Sequence, residues 1–361
     1  MMLRKRLFNV LVPRQISFSE WWRGASIPGT VNRRIQGCMS PSGIRENGLC
    51  RALVHLLGCA VLSLCSMPTF AAVPRVVVSI NPFYGLVASV MQGVGKPSLL
   101  VKIGASPHEY TLKPSEIRQL EAATLIFWGG PALESFLIKP LAQQKASLVA
   151  FDQVPGLHTL PLRTNMIWES QDEDSEVSGH HHHHHSHSDA HGSIDMHFWL
   201  DPHHAIAMTK AIVLQLSAVD PEHQSQYQAN GQTLIQRLKQ LDRTLQKNLA
   251  SAKSKPFVVF HDAYQYFERR YHLQGAGSIS LHPELPPSIK RLSTIRAIIE
   301  KQKVVCLFSE PQFSAALVHS IADDLPVRTG ILDPIGTDAS PEGYFTLMEN
   351  LSEALTECLA K

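Results

Sequence analysis

The segment from residue 220 to residue 253 reads DPEHQSQYQANGQTLIQRLKQLDRTLQKNLASAK. It opens on Asp220-Pro221, a pair typical of a helix start, and no further proline follows to end the helix. Leucines recur at steps of three and four residues, which indicates one apolar stripe on a polar helix: Leu234, Leu238, Leu241, Leu245 and Leu249. At a rise of about 1.5 Å per residue, such a helix spans on the order of 45 Å. We interpret it as a rigid strut between two lobes; the alternative is an amphipathic pair broken near Gly231.

Short β-branched runs alternate with helical patterns on both sides of this segment. Before it, strands are predicted at 75–80, 98–103, 124–128 and 147–151, and helices at 85–92, 115–122, 131–137 and 205–216. After it, strands are predicted at 257–260, 277–281, 304–308 and 327–332, and helices at 263–271, 287–301, 315–322 and 341–359. Alternation of strand and helix is typical of a parallel sheet. The expected fold class is therefore α/β, with two lobes that each hold a mostly parallel sheet flanked by helices and are joined by one long rigid helix.

The same pattern sets the expected domain boundaries. We expect an N-terminal lobe over 72–218, a linking helix over 219–254 and a C-terminal lobe over 255–361. About 290 residues are enough for two domains of ordinary size.

Residues 1–71 are predicted to be a leader that contains a signal peptide. The apolar run ALVHLLGCAVLSLCSMPTFAA follows Arg51, and its end at Thr69-Phe70-Ala71 is similar to a signal cleavage site. Pro68 interrupts the run, which argues against a permanent membrane span. The stretch before the run is unusually long, so the true start is expected near Met39. A periplasmic location is therefore expected, with a lipid anchor at Cys59 in Leu-Leu-Gly-Cys as the alternative.

Removing that leader changes the charge of the chain. The whole sequence has 33 basic and 31 acidic residues, and the leader holds nine and two of them, so 24 basic and 29 acidic residues remain. A mildly acidic chain without a concentrated basic face is not expected to bind nucleic acid.

Two cysteines, Cys306 and Cys358, remain after the leader is removed. In an exported chain, two cysteines indicate one disulfide. Closing a loop of this length stabilises a fold by about 4 kcal/mol on the chain-entropy model. A free buried pair is the alternative.

A histidine tract, GHHHHHHSHSDAHGSIDMHFWLDP, runs from Gly179 to Pro202 after a run of acidic residues. Its polar, repetitive composition predicts a disordered loop over 163–195. Imidazole binds zinc and similar ions, so we expect an accessory metal loop made of His180, His181, His182, His183, His184, His185, His187 and His191. An engineered tag is the alternative, but tags stand at chain ends. Because a disordered loop cannot fix a coordination geometry, a defined site should use histidines on ordered elements.

Three such histidines fall at or next to predicted strand ends: His108, His197 and His261. In parallel α/β sheets, the loops after the strands meet at one edge, where ligands usually bind. Each histidine alone is more often a satisfied polar residue, but the three together with the histidine tract favour a metal site. Three imidazoles suit zinc better than manganese or magnesium, which prefer oxygen. Asp333, at another strand end, is the candidate for a fourth ligand or for a partner behind the ligands, and a turn-capping role is its alternative.

At these residues the chain resembles the zinc-specific solute-binding proteins of bacterial metal ABC importers, the ZnuA type. The likeness covers nearly all of residues 74–361. The segments that carry it are GASPHEYTLKPS at 104–115, DMHFWLDP at 195–202, FVVFHDAYQYFE at 257–268, SEPQF at 309–313 and ILDPIGT at 331–337.

This resemblance implies two lobes joined by a long helix with a metal site in the cleft between them. It implies Zn²⁺ ligation by His108, His197 and His261, and a disulfide between Cys306 and Cys358. Some members have Glu before the first ligand where this chain has Pro107, which leaves water or Asp333 as the fourth ligand. The implied partners are an ABC permease and its ATPase at the inner membrane, and the expected receptor is a monomer and not an enzyme.

Other interpretations of the same residues remain open. A manganese or iron receptor of the same family is disfavoured by the third imidazole. A periplasmic zinc hydrolase would need a general base, for which Glu109 and Asp262 beside two of the ligands are the candidates. A surface adhesin or a zinc buffer without a transporter is a further alternative.

Overall fold

The computed structural model describes residues 73–163, 168, 194–280, 287–323 and 325–360. These residues fall within one compact unit of the chain. The predicted leader, Cys59 and the eight histidines of the accessory loop lie outside the described residues. At the ends of the loop predicted to be disordered over 163–195, Arg163, Trp168, Ile194 and Asp195 are described and Asp195 is buried, so ordered chain extends past both predicted loop boundaries. Among the described helices, none combines the length and the apolar character needed to cross a membrane.

The first half of the described chain forms a parallel sheet of four strands in the order β2-β1-β3-β4. The strands are β1 (Val76–Val78), β2 (Ser98–Leu99), β3 (Leu125–Trp128) and β4 (Ser147–Ala150). Helices α1 (Asn81–Val90), α2 (Pro114–Glu121) and α3 (Ile138–Leu141) lie between them in the chain, and α4 (Pro202–Val219) comes after β4. Asp201 caps α4 through a hydrogen bond from the backbone N of His203 at 2.8 Å, with Pro202 in the first turn, as the sequence predicts.

The second half repeats the arrangement with a parallel sheet in the order β6-β5-β7-β8. Its strands are β5 (Phe257–His261), β6 (Gly275–Ser280), β7 (Cys306–Ser309) and β8 (Arg328–Ile331). The helices are α6 (Gln265–Tyr271), α7 (Ile289–Lys301), α8 (Ala316–Ala322) and α9 (Gly343–Ala360). Two parallel sheets flanked by helices confirm the predicted fold class.

A single helix, α5 (Gln224–Asn248), joins the two halves. Its 25 residues correspond to about 37 Å. The helix continues through Gly231, so the alternative of a broken pair is wrong. A Cβ at Gly231 would lie 2.3 Å from Cγ2 of Val213 in α4, so the close approach of the two helices requires glycine there. The predicted leucine stripe is buried along its whole length.

The two sheets share one hydrophobic core. Phe83 of α1, Trp199, Leu238 of α5, Phe257 of β5 and Tyr344 of α9 all belong to the same buried cluster, and smaller clusters lie elsewhere in each half. Helix α9, although it follows β8, also packs on α1 and α5. The halves are therefore held together by packing on both sides of the linking helix.

Two local expectations differ from the structure. The predicted helix at 131–137 is a turn followed by a 3-10 segment, because the buried Glu134 side chain accepts hydrogen bonds from the backbone N of Gly129 at 2.7 Å and of Gly130 at 3.4 Å. The strand predicted at 98–103 ends at Leu99, and the chain then turns through Gly104 at a φ of 82°.

The disulfide between Cys306 and Cys358 is present, with the two Cα atoms 6.1 Å apart. It joins the start of β7 to the last turns of α9, which confirms the sequence prediction. A loop closed across 52 positions stabilises the fold by about 4 kcal/mol on the chain-entropy model.

Candidate metal centre

Three histidines converge at the carboxyl edges of the two sheets. His261 is the last residue of β5, His197 precedes the 3-10 segment Phe198–Leu200, and His108 lies in irregular chain after β2. Among the described residues, these three form the group whose ligand atoms all lie within 4.8 Å of one another. The two halves of the chain thus contribute imidazoles to one place.

The spacing of the imidazoles fits a single ion. Ring centroids are 5.3 Å apart for His108 and His197, 5.6 Å for His108 and His261, and 5.2 Å for His197 and His261. The Nε2 atoms of His197 and His261 are 3.3 Å apart. Two nitrogens bound to one zinc at about 2.0–2.1 Å with a tetrahedral angle would be about 3.4 Å apart. These two imidazoles therefore already stand at the separation that zinc coordination requires.

Asp195 orients the ring of His197. Its Oδ1 lies 2.8 Å from Nδ1 of His197 and also accepts a hydrogen bond from the backbone N of His197 at 2.9 Å. An ionised carboxylate only accepts hydrogen bonds, so the ring proton belongs on Nδ1 and the lone pair is on Nε2, which faces the cluster. Asp195 is buried with an exposed fraction of 1%.

Glu310, which follows β7, plays the same part for His261. Both of its carboxylate oxygens lie 2.7 Å from Nδ1 of His261. Burial by itself would lower the pKa of His261, but the charge and hydrogen bond of Glu310 act against burial, and the pKa is raised. Protonation of Nε2 therefore competes with metal binding at His261 more strongly than it would in an imidazole without this carboxylate.

His108 is held in a different way. It is half-buried, it follows the buried Pro107, and its backbone N donates to Oγ of Ser106 at 3.3 Å. The far end of its loop is fixed by Glu116 of α2, whose carboxylate accepts from the hydroxyl of Tyr110 at 2.9 Å and from the backbone N of Lys113 at 2.8 Å. The His108 imidazole is thus placed by a loop that is anchored at its end.

Asp333 does not belong to the group of three histidines. Its Oδ1 accepts hydrogen bonds from the backbone N of Ile335 at 3.0 Å and from Nε2 of Gln312 at 2.8 Å. Gln312, in turn, lines the small cavity that the three imidazoles enclose. In this structure Asp333 caps a turn, and the next residue in the chain, Pro334, lines that cavity. A role of Asp333 as a fourth ligand stays a prediction.

The two residues proposed as a general base are placed differently. Glu109 is exposed. Asp262 is buried and pairs with Nη1 of Arg163 at 3.0 Å. Burial raises the pKa of Asp262 to about 7, although the charge of Arg163 acts in the opposite direction. Oδ1 of Asp262 thus already has a contact with the Arg163 guanidinium.

Sequence reasoning missed the two carboxylates that orient His197 and His261. Asp195 stands two residues before His197, a spacing that lets one carboxylate bind both the ring and the backbone of the histidine. Glu310 lies directly after β7, the strand beside β5, so its position at the same sheet edge as His261 follows from the parallel order. The first signal could have been read from the residue spacing, and the second from the strand order.

Similar proteins were found by sequence and by structure. Residues 76–358 match the family described as "Zinc-uptake complex component A periplasmic". The chain is 41% identical over 310 residues to the high-affinity zinc uptake system protein ZnuA of Brucella suis biovar 1, an alignment that covers 79% of this chain and 92% of that protein. It is 35% identical over 301 residues to the protein of the same name from Yersinia pestis, covering 81% and 93%.

The fold has a counterpart among solved structures. The periplasmic zinc binding protein TroA from Treponema pallidum superposes with a TM-score of 0.65 at 20% sequence identity, and the match covers 80% of this chain and 99% of that protein. At this identity the likeness shows the fold alone. The match to the family over residues 76–358 and the two zinc uptake relatives show that this chain belongs to the family of periplasmic zinc-uptake complex component A proteins.

Proposed function

We propose that this protein is a periplasmic receptor that binds Zn²⁺ with high affinity and delivers it to an ABC permease and its ATPase for import. The observation that carries the proposal is the convergence of three imidazoles from two sheets, with Nε2 atoms of His197 and His261 3.3 Å apart. Family membership supports the same function, because the relatives are zinc uptake proteins.

The donor set favours zinc over manganese. His108, His197 and His261 supply three neutral nitrogen ligands, whereas manganese sites use mainly oxygen. The buried carboxylates of Asp195 and Glu310 fix the tautomers of two of these ligands and add negative charge next to a dication. Water or Asp333 completes the coordination in this proposal.

A catalytic use of the same metal site is less well supported. Hydrolysis by a metal-bound water needs a base close to that water. Asp262 is paired with Arg163, Glu109 is exposed, and the family is one of uptake components. We therefore assign binding and delivery rather than hydrolysis.

Several parts of the proposal concern the rest of the chain. Residues 1–71 act as a leader removed on export, and His180–His185, His187 and His191 collect additional zinc. The receptor works as a monomer, divided into lobes at 72–218 and 255–361 with the linking segment 219–254. The two separate sheets and the unbroken helix α5 support this division.

Metal binding by the purified exported protein tests the function. We expect tight zinc binding at the cleft site in competition with a chromophoric chelator, and loss of that binding in His197→Ala. His319→Ala, which changes an exposed histidine of α8, is the matched control and should bind as the wild type does. Unchanged zinc affinity in His197→Ala, or tighter binding of manganese than of zinc, would refute the proposal.

A further inference from the structure

A short paired stem lies next to the ligand His197. We use this name for residues 160–163 together with residues 194–195. Pro161 and Ile194 form an antiparallel bridge, and the backbone N of Asp195 donates to the carbonyl of Leu160 at 2.8 Å. Because Asp195 also binds the ring of His197, the position of the stem sets the position of that ligand.

Helix α6 of the second half fastens the stem. The hydroxyl of Tyr266 donates to the carbonyl of Asp195 at 2.7 Å and accepts from the backbone N of Leu160 at 2.8 Å. The amide of Gln265, oriented so that its nitrogen donates, reaches the carbonyl of Pro161 at 3.2 Å and Oδ2 of Asp195 at 3.0 Å. The stem is therefore bonded along its length to the chain that comes after β5.

Arg163 adds two charged contacts to this attachment. Its Nη1 lies 3.0 Å from Asp262 and its Nη2 lies 2.7 Å from Glu268. Both carboxylates are buried, with exposed fractions of 8% and 4%. Asp262 directly follows the ligand His261, so one guanidinium ties the stem to the neighbour of the second ligand.

A tryptophan and a glycine also shape the surroundings of the Arg163 side chain. The guanidinium lies 3.8 Å from the ring centre of Trp168, and the backbone N of Trp168 donates to the carbonyl of Ala276 in β6 at 3.1 Å. A Cβ at Gly275 would lie 2.7 Å from Cζ3 of Trp168 and 2.7 Å from Oε2 of Glu268. The bare backbone of β6 thus leaves the space that this cluster fills.

We propose that Arg163 is a positioning residue for the zinc site. It clamps the stem, and with it His197, against the turn after His261, so that the two Nε2 atoms stand 3.3 Å apart before zinc arrives. The inference rests on the proposed zinc function. The two imidazoles are already ordered before zinc binds, so no binding free energy is used to order them. We therefore expect tighter binding and slower release of zinc.

The charge of Arg163 alone would have the opposite effect. A cation close to a zinc site repels the ion, so its removal should tighten binding if electrostatics were the whole role. Positioning predicts weaker binding after removal. The sign of the change therefore separates the two explanations.

Two substitutions at Arg163 give the test. Arg163→Met removes the charge and the fork, whereas Arg163→Lys keeps the charge but lacks the planar fork that holds two carboxylates. We expect zinc release into excess chelator to be about tenfold faster in Arg163→Met, and faster by a smaller factor in Arg163→Lys. Cobalt(II)-loaded Arg163→Met should also show weaker visible absorption, because the tetrahedral site is distorted.

The chain offers a matched control in Arg237 of α5. Its Nη1 lies 2.8 Å from Glu342, its guanidinium lies 4.1 Å from the ring centre of Phe345, and the pair likewise joins separate elements of the chain. Arg237→Met removes an arginine together with its ion pair to one carboxylate and its stacking on an aromatic ring, and it leaves the stem unchanged. We expect it to release zinc at the wild-type rate.

A third variant protects the test against misfolding. Arg163→Met leaves two buried carboxylates without their cation, which can destabilise a protein. The triple variant Arg163→Met, Asp262→Asn, Glu268→Gln removes those charges as well, and its reference is the double variant Asp262→Asn, Glu268→Gln, which keeps Arg163. We expect the triple variant to release zinc about tenfold faster than this double variant. Equal release rates in the triple and double variants, or slower release in Arg163→Met, would overturn the inference while zinc binding by the wild type stands. Failure of the wild type to bind zinc would instead remove the proposed function.

Discussion

The two sheets have the same strand order but present the histidines of the proposed zinc site differently. The second sheet ends β5 directly on His261, which is buried and held by both oxygens of Glu310. The first sheet supplies His108 from irregular chain beyond β2, where the side chain is half-buried. The repeated topology therefore determines the sheet edge at which these histidines lie. How rigidly each histidine is held depends on its distance from the strand end and on the side chains that contact it.

Loss of the strand-held ligand should have the largest effect on zinc affinity. We expect His261→Ala to weaken binding by more than about 100-fold, because ligand loss exceeds the effect of losing a partner behind a ligand. His108→Ala should weaken it by a smaller factor, since water can enter a half-buried loop. Competition titration of both variants measures the difference. Equal losses would remove the distinction between the two ligands.

Substituting the carboxylates that contact the histidine rings should have the next largest effect on zinc affinity. We expect Glu310→Gln to weaken zinc binding by about 10–100-fold, because the amide cannot hold the Nδ1 proton of His261 as a carboxylate does. Asp195→Asn should fall in the same range. Isothermal titration with a competing chelator provides the measurement, and Asp338→Asn, on a residue outside the centre, serves as control. A loss below about twofold in Glu310→Gln would show that its two short contacts do not support the ligand.

The pH dependence should follow from the raised pKa of His261. In the metal-free protein this group stabilises the fold at low pH, and the contribution is lost as pH rises through the raised folded value. Zinc binding has the opposite sign, because the proton must leave: affinity should fall as pH drops through that same value. Titrations from pH 8 to pH 5 measure the midpoint, and Glu310→Gln should move it to lower pH. A midpoint that does not move in this variant contradicts the assignment.

The disulfide should affect the site least. Reduction of Cys306–Cys358 is expected to lower the free energy of unfolding by about 4 kcal/mol. Zinc affinity should change by less than about threefold, because Cys306 begins β7 whereas Glu310 follows the end of that strand. Thermal unfolding and zinc titration of the Cys306→Ser, Cys358→Ser protein separate the two quantities. A large loss of affinity would show that the position of Glu310 depends on the far end of its strand.

Much of this architecture follows from local patterns. The leucine stripe and the absence of proline predict α5, and the alternation of strands and helices predicts both sheets. The strand ends predict where His261 lies. The stem around Arg163 could not be predicted, because its contacts with Asp262, Glu268 and Tyr266 join residues about a hundred positions apart without any periodic pattern. The capping role of Asp333 could likewise be weighed against a ligand role only with coordinates.

The packing of α9 bears on the order in which the protein can fold. Tyr344 lies so close to Gly85 of α1 that a Cβ on the glycine would be 2.8 Å from its backbone N, and Oγ of Ser89 donates to the carbonyl of Pro341 at 2.7 Å. Residues 341–360 thus cover part of helix α1. Helix α1 therefore cannot be fully buried until the last helix of the chain has folded against it, so the amino-terminal half of the fold depends on the residues that are synthesised last.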